Sequence, residues 1–301
     1  MQCINDIVYF ASYNSEQTIL AKFCLPRLSF RKMFPELNSI LNTSPENFPQ
    51  GEFILVSDRK ADASFLIHHF LSFYLRAGSK VCFLGLVQSF SHYNAVSQRL
   101  GVNLTQARDK GQLVFLEGLK GALGVLLEEE PNPGAHTLDF LRAPHTDLRS
   151  VFEFVRGSLT GGEGGEWGPP VLIIDELSVL LSLGVRAGAA LDFAHYCRAF
   201  VCSKMQGNMV MLVRSNEEED EGDEESSEWL LKALTHQCSL ALRVQGLTTG
   251  FCRDIHGEME VFRRGQSSCV KGPQTQRKLF QYKVHDKGAS FFARGTSSAV
   301  L

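Results

Sequence analysis

The chain lacks the features that mark membrane and secreted proteins. No stretch approaches the roughly 20 continuous apolar residues that a membrane-spanning helix requires. The first residues, MQCINDIVYF, contain no basic leader, and Asn5, Asp6, Asn14 and Glu16 interrupt the apolar run. We therefore expect neither a membrane span nor a signal peptide, and we expect the protein to stay inside the cell.

Paired cysteines are also missing. The chain has eight cysteines but no CxxC pair, which is the spacing typical of zinc sites and redox motifs. They are Cys3, Cys24, Cys82, Cys197, Cys202, Cys238, Cys252 and Cys269. Several lie in apolar, strand-like runs, so we expect buried reduced thiols and no metal site or disulfide framework.

What is present is a globular composition with unevenly distributed charge. Of the 301 residues, 44% are hydrophobic and 21% are charged, which suits one large α/β domain or two small ones. Residues 217–228, EEEDEGDEESSE, hold nine of the 33 acids and no base, whereas eleven bases face four acids after residue 228. We expect the acidic run to be a solvated loop. The alternative is an interaction tail that folds back on the basic end.

Apolar runs alternate with helical patterns along most of the chain. The runs are rich in Val, Leu, Ile and Phe and nearly continuous, as in strands buried on both faces. Strands are predicted at 53–57, 80–87, 112–116, 171–175, 208–213 and 239–244, and helices at 64–77, 91–100, 147–156, 189–205 and 229–236. This βα alternation predicts an α/β fold with a mostly parallel sheet flanked by helices. Short strands at 258–263, 279–285 and 289–294 predict an antiparallel C-terminal part.

The segment after the first predicted strand stands where a phosphate-binding loop would be. In the pattern GxxxxGK[ST], glycines let backbone N–H groups surround the phosphates, and the Lys reaches the outer oxygens. Aligned on this pattern, Ser57 replaces the first Gly, Asp62 the second and Ala63 the Lys, while Ser64 keeps its type. An Asp carboxylate about 4 Å from a phosphate costs roughly 4 kcal/mol at an effective dielectric of about 20. We therefore expect little or no ATP binding at this degenerate site, and no cofactor.

A second ATPase signature is present in part. The run VLIIDE, residues 171–176, places Asp175 at the end of an apolar strand, where P-loop enzymes hold a Mg²⁺-bound water. A structural, helix-capping acid is the alternative, and we favour it. RecA-type ATPases also place a water-activating Glu after the strand that follows the first helix, but residues 81–103 contain no Asp or Glu. The order of elements follows a RecA-type core from which three of four catalytic elements are missing or replaced.

Histidines offer no stronger site. His68 and His69 lie in an apolar helical run, HHFLSFYL, where packing is the expected role. His92 and His195 have no carboxylate at metal-ligand spacing. The sequence therefore predicts no metal site and no catalytic residue.

A basic segment near the C-terminus is the candidate for nucleic-acid contact. Its members are Arg263, Arg264, Lys271, Arg277 and Lys278. Such residues can neutralise phosphates, or they can simply solvate the surface of the C-terminal strands. Both interpretations remain open from the sequence.

Family-specific strings run from about Met33 to Leu301. They are FPELNSILNTSPE, HHFLSFYL, VCFLGLVQSFSHY, LGVNLT, GQLVFLEGLK, LSVLLSLG, LDFAHYCRA, GLTTGFCRDIHG and FFARGTSSAVL. On these strings the chain resembles the family of Elongator subunit 6, whereas residues 1–32 do not match. We predict that residues 1–32 form a poorly ordered extension and that residues 33–301 form one RecA-like domain with an acidic loop at 215–228.

The resemblance implies a pseudo-ATPase and not an enzyme. It implies a hetero-hexameric ring with Elongator subunits 4 and 5, with the remaining Elongator subunits as further partners. That ring would support modification of the tRNA wobble uridine, U34, at C5, while the chemistry would belong to a different subunit. Contact with tRNA would be indirect or weak, and the location would be the cytoplasm and also the nucleus.

Two other functions remain open at this stage. One is a weak nucleotide-binding subunit of a ring ATPase, which hydrolyses ATP only with groups donated by a neighbour. The other is a RecA-family mediator that binds single-stranded DNA. Turnover in an assembled ring that depends on Asp175 would favour the first, and a preference for single-stranded DNA over tRNA would favour the second.

Overall fold

A nine-stranded sheet organises the part of the chain that the structure describes. The computed structural model describes residues 34–127, 137–142, 147–161, 167–214, 225–248, 250, 252–264 and 276–294. The strands are β1 (Phe53–Arg59), β2 (Ser79–Gly85), β3 (Leu113–Glu117), β4 (Gly168–Ile174), β5 (Asn208–Arg214), β6 (Leu240–Gln245), β7 (Gly257–Arg263), β8 (Gln276–His285) and β9 (Gly288–Ala293). Their order across the sheet is β3-β2-β4-β5-β1-β6-β7-β8-β9. The six strands from β3 to β6 in this order are parallel to one another. Strands β7, β8 and β9 follow β6, and each is antiparallel to its neighbour.

Helices cover both faces of the parallel part. They are α1 (Pro35–Leu41), α2 (Ser64–Arg76), α3 (Phe90–Arg99), α4 (Leu104–Asp109), α5 (Gly118–Leu127), α6 (Arg149–Thr160), α7 (Val179–Ser182), α8 (Ala187–Arg198) and α9 (Ser227–Thr235). A 3₁₀ turn lies at Asp139–Arg142, and a π-helical segment, Ala199–Lys204, continues α8. In the described ranges, no helix combines the length and the apolarity needed to cross a bilayer.

Two apolar cores form because successive side chains of a strand point to opposite faces. Along β1, Phe53 and Leu55 join the core under α5, α6, α8 and α9, whereas Ile54 and Val56 join the core under α1, α2, α3 and α4. Every one of these four side chains is buried. The nearly continuous apolar runs in the sequence are explained by this burial on both sides.

The predicted architecture is confirmed. All nine predicted strands are present, with ends that differ from the predicted ones by three residues at most, and so are the five predicted helices. The sequence did not predict α1, α4, α5 or the single turn α7. These helices have ten residues or fewer, and α5, GLKGALGVLL, is apolar on several sides and holds three glycines, so it carries no clear helical periodicity.

The two edges of the sheet differ. At one edge, α1 lies against β9, and the backbone N–H of Phe291 donates to the Glu36 carboxylate over 2.7 Å. At the other edge, β3 pairs with β2 and has no second strand among the described residues. An unpaired strand edge exposes backbone groups that can pair with another chain.

All described residues belong to one unit, Met33–Leu301. The predicted extension at residues 1–32, Lys271 and residues 215–224 of the predicted acidic loop lie outside the described residues. The proposed division at residues 32 and 33, and the poor ordering of the extension, stay predictions.

Candidate functional site

The degenerate nucleotide loop lies where the parallel strands β1, β4 and β5 end, the edge at which open α/β sheets bind ligands. Strand β1 continues through Arg59, because Ser57 and Asp58 pair with β5 on one side and β6 on the other. Only residues 60–63 then connect β1 to α2. Ser57, the position of the first Gly of the motif, is thus part of the sheet, and the remaining loop is too short to surround a phosphate.

Two carboxylates already occupy the amino-terminal end of α2. The backbone N–H of Ala63 donates to Asp58 Oδ2 over 3.2 Å, and the backbone N–H of Ser64 donates to Asp62 Oδ1 over 2.8 Å. In phosphate-binding loops, such N–H groups point at the ligand. Here the chain supplies its own anions, so a phosphate would have to displace or approach two negative charges.

The Asp58 carboxylate also forms an ion pair with Arg214. Arg214 Nε and Nη2 each lie 3.3 Å from one of its carboxylate oxygens, a two-point contact that holds the carboxylate in one orientation. The Asp58 side chain is only 1% exposed. A buried carboxylate therefore stands between an arginine and the start of α2, and it accepts an N–H group of the kind that a phosphate-binding loop offers to its ligand.

Glu176 completes this ionic cluster. Its Oε2 lies 3.7 Å from Arg214 Nη2, and its Oε1 accepts a hydrogen bond from the Ser178 hydroxyl over 3.1 Å. Burial raises the pKa of Glu176, and the charge of Arg214 offsets part of that rise. Burial also acts to lower the pKa of Arg214, but the hydrogen bonds and charge of Asp58, together with Glu176, raise it overall.

Asp175 has a structural role in this arrangement. Its carboxylate accepts hydrogen bonds from the backbone N–H groups of Leu86 (2.7 Å) and Val87 (3.1 Å) and from the Tyr93 hydroxyl (3.0 Å). Burial raises the pKa of Asp175, and these hydrogen bonds oppose part of the rise. Both carboxylate oxygens thus tie the end of β4 to the segment after β2, an orientation suited to fixing a loop and not to holding a Mg²⁺-bound water.

His68 and His69, the two histidines of α2, are both buried. Burial, with the neighbouring His92 as a second cause, lowers the pKa of His68 to about 4. Burial, followed by the charge of Arg76, lowers the pKa of His69 to about 3. His69 packs edge-on against Phe34, with the ring centroids 4.9 Å apart. Both imidazoles therefore act as packing groups, as the sequence predicts.

Strand β2 carries no acid at the position where RecA-type ATPases place a water-activating Glu. Strand β2, the strand after helix α2, ends at Gly85 and is followed by Leu86 and Val87. Within the described part of the chain, no group of three or more His, Cys, Asp or Glu side chains is placed to hold a metal ion.

The predicted basic segment lies at the opposite end of the sheet. Arg263 ends β7 beside the start of β6, and it pairs with Glu52 over 2.5 Å. Arg264 donates to the backbone carbonyl of His236, and Arg277 pairs with Glu260. Lys271 lies outside the described residues.

These basic residues do not share one face of the sheet. Arg277 lies across from Phe262 on β7, whereas Lys278 lies across from Val261 and is exposed. Because neighbouring residues of a strand point to opposite faces, Arg277 and Lys278 project from opposite faces. Nucleic-acid contact by this set stays a prediction, and the geometry offers two separated groups and not one continuous patch.

The described end of the acidic run is part of the fold. Glu225 accepts a hydrogen bond from the Ala187 N–H at the start of α8 over 2.7 Å. The Ser226 hydroxyl accepts from the Trp229 N–H at the start of α9, and Glu228 pairs with Arg59 over 3.3 Å. Helix α9 begins at Ser227, so the predicted loop boundary at residue 228 is two residues too late. The run joins the fold at the carboxyl ends of the strands, away from Arg263 and Arg277.

Sequence reasoning missed four residues of this site. Asp58, Tyr93, Glu176 and Arg214 carry most of its contacts, yet none belongs to the motif positions that were aligned. The available signals were weak: Asp58 and Arg214 directly follow apolar runs, and Glu176 follows Asp175. Their pairing depends on β1 and β5 being neighbours in the sheet, which periodicity alone does not reveal.

Comparisons with known proteins agree with this geometry. Residues 34–286 match the family described as Elongation complex protein 6. The Elongator complex protein 6 of Danio rerio is 66% identical over 89% of this chain and 100% of its own length. The Homo sapiens protein of the same name is 52% identical over the same shares.

A solved structure supports the fold alone. An uncharacterized protein of Pyrococcus horikoshii, in complex with an unknown peptide, superposes with a TM-score of 0.52 at 13% identity, covering 86% of this chain and 96% of that chain. Together with the strand order, this likeness confirms the α/β fold with a mostly parallel sheet that the sequence predicts.

Proposed function

Because this chain belongs to the Elongation complex protein 6 family, we propose that it is a non-catalytic RecA-like subunit of the Elongator complex. In this proposal it forms a hetero-hexameric ring with Elongator subunits 4 and 5. The ring supports C5 modification of the tRNA wobble uridine, U34, by a different subunit. The protein acts in the cytoplasm and also in the nucleus.

The observation that carries the non-catalytic role is the Asp58 carboxylate. It lies between Arg214 and the Ala63 N–H, where a nucleotide-binding relative would place a phosphate. Because the anion is covalently part of the chain, the loop needs no nucleotide to keep its conformation. Asp175, tied to Leu86 and Val87, adds nothing that would position a metal-bound water.

Ring assembly is compatible with this loss of nucleotide chemistry. RecA-type cores associate side by side, and function is placed on a fold by its surfaces and sites and not by the fold itself. A subunit whose nucleotide site is filled internally can still offer the faces through which such cores associate. Its contribution to the ring is then architectural.

We further propose that tRNA contact through this subunit is weak or indirect. Arg263, Arg264 and Arg277 already have partners within the chain, so a phosphate would have to compete with those partners. Lys278 and Lys271 remain as candidates for an additional contact. Most of the affinity of the ring for tRNA would then come from the other subunits.

Native mass spectrometry of the co-expressed subunits tests the assembly. The full chain should form a hexamer with subunits 4 and 5, with two copies of each. Omission of either partner from the co-expression is the control, and it should abolish the hexamer. A monomeric chain that ignores both partners would overturn the proposed function.

A further inference from the structure

The open edge of the sheet at β3 carries a groove. The groove encloses about 440 Å³ between α3, α4, β3 and α5. Phe90 and Phe115 form its apolar floor on the α3 side of β3, and Val125 of α5 lines it on the opposite side of the strand. The Phe90 and Phe115 rings meet edge to face with centroids 5.2 Å apart, which makes this floor a fixed aromatic surface.

Helix α5 leaves the groove open beside Gly124, whereas the Cβ position of Gly121 lies 2.7 Å from Leu138 Cδ1 and is closed by packing within the chain. A Cβ added to Gly124 would meet no atom within 4 Å, so the space beside this residue is unfilled by the described chain. A neighbouring backbone could approach closely there, which is a use that proteins make of glycine. Gly121 also lines the groove.

The rim of the groove is cationic. Arg108 lies with its guanidinium carbon 4.3 Å from the Phe90 ring centroid, and Lys120 lines the same rim. The one acid there, Glu117, already accepts the Phe90 N–H over 2.8 Å and lies 3.9 Å from Lys120. A ligand with a negative charge beside its apolar part would therefore fit this rim better than a basic one.

A row of leucines lies on the other flank of α5. Leu119, Leu123 and Leu127 are 53%, 59% and 71% exposed, respectively, and their spacing of four residues puts them on one helical face. Contiguous exposed apolar side chains of this kind mark interaction surfaces. The unpaired strand, the groove and the leucine row lie at one edge of the sheet.

We propose that this edge receives an extended segment of a neighbouring subunit of the complex. The segment adds a strand to β3, places a large apolar side chain against Phe90 and Phe115, and places an acidic residue near Arg108 and Lys120. An unpaired strand edge selects an extended segment, because it offers a row of backbone donors and acceptors. The inference rests on the proposed function, since the neighbour is a subunit of the same assembly.

The charge at the rim also distinguishes this neighbour from a second copy of the chain. A two-fold contact would place the same patch on both partners, so Arg108 and Lys120 would face their own equivalents. Such like-charge contact is unfavourable at an interface. A partner of different sequence is therefore the better occupant.

The test uses Gly124→Leu in the full chain co-expressed with subunits 4 and 5. Leucine favours the helix more than glycine does, and its side chain enters open space, so the isolated variant should melt no lower than the wild type. The same side chain fills the groove, so assembly should weaken at least about tenfold. Gly157→Leu is the matched control, because this helical glycine of α6 is exposed and also has nothing within 4 Å of its Cβ position.

Hydrogen exchange of the β3 amides, residues 113–117, provides the second readout. Exchange should slow in the assembled wild-type ring relative to the isolated chain, and the slowing should be lost with Gly124→Leu. Normal assembly of Gly124→Leu with unchanged β3 exchange would overturn this inference while leaving the proposed function intact. A lower melting temperature for isolated Gly124→Leu than for Gly157→Leu would also overturn it, because the groove would then be filled by the chain itself. Failure of the wild type to assemble would instead refute the proposed function.

Discussion

Carboxylate–arginine pairs occur in two regions of this molecule, and they differ in burial. Asp58 and Arg214 lie at the carboxyl ends of the parallel strands, where the Asp58 side chain is 1% exposed. Glu260 and Arg277 lie on the antiparallel strands, where their side chains are 14% and 70% exposed, compared with 46% for Arg214. The first carboxylate also accepts a backbone N–H at the start of α2, whereas the second contacts arginines that are largely open to water. The same type of ion pair thus stabilises the fold in one region and contributes little to stability in the other.

Acid should produce the largest effect, and it should act on the buried region. His68 and His69 have pKa values of about 4 and about 3 in the folded protein, whereas an unfolded histidine titrates near pH 6.5. As the pH falls below about 6.5, the unfolded chain binds protons first, so the free energy of unfolding decreases until the folded pKa values are reached. Between pH 7 and pH 5, we expect a loss of about 2 kcal/mol for each histidine.

Two acids oppose this trend in part. Burial raises the pKa of Asp175 and of Glu176, so the folded protein binds their protons at a higher pH than the unfolded chain does. Their contribution therefore becomes more favourable as the pH falls toward their unfolded pKa values. Urea unfolding at pH 7 and pH 5 measures the net result.

The variant His69→Phe sharpens this prediction. A phenyl ring can occupy the site beside Phe34 and Phe73 without binding a proton. The loss in the free energy of unfolding between pH 7 and pH 5 should therefore be smaller by about 2 kcal/mol in this variant. His195→Gln, at an exposed position on α8, is the control variant. Equal pH dependence in wild type and His69→Phe would show that His69 does not cause the loss.

Removal of the internal anion should have the next largest effect. Asp58→Ala leaves the Ala63 N–H and Arg214 without this carboxylate, so we expect the free energy of unfolding to fall by about 2 kcal/mol. For a protein of this size, the melting temperature should fall by about 3 °C. Asp62→Ala is the control, because it removes an exposed carboxylate of the same loop and should cost about 1 kcal/mol or less. Equal losses in the two variants would contradict the difference in burial.

The surface pair should matter least. Glu260→Gln removes the charge that faces Arg243 and Arg277, and exposed ion pairs contribute about 0 to 1 kcal/mol. We therefore expect urea unfolding to change by less than about 1 kcal/mol, and by still less at high salt. A loss comparable with that of Asp58→Ala would remove the distinction between the two regions.

The sequence was sufficient to predict the sheet and most of its helices because burial on both faces leaves long apolar runs. Local residue types also predict that Ser57, Asp62 and Ala63 are unsuitable for nucleotide, and this stays a prediction. The sequence could not identify Asp58 and Arg214 as partners, because that contact requires two strands distant in the chain to become neighbours. Tertiary pairing, and not local pattern, determines what replaces the missing phosphate.

The basic segment illustrates the same limit at the surface. Arg263, Arg277 and Lys278 form a cluster when counted along the chain, yet the strand register separates Arg277 from Lys278 onto opposite faces. Glu52, the ion-pair partner of Arg263, lies 211 residues away in sequence. Charge counts could therefore locate the basic end but not the surface that it presents.

A thermal-shift measurement with ATP and Mg²⁺ tests most directly whether the nucleotide site is filled by the chain itself. A ligand at 100 times its dissociation constant would stabilise the protein by about 2.7 kcal/mol, which is readily detected. With Asp58 between Arg214 and the start of α2, the isolated wild-type protein should show no ATP-dependent change in melting temperature at millimolar ATP. A saturable rise of several degrees would contradict the account.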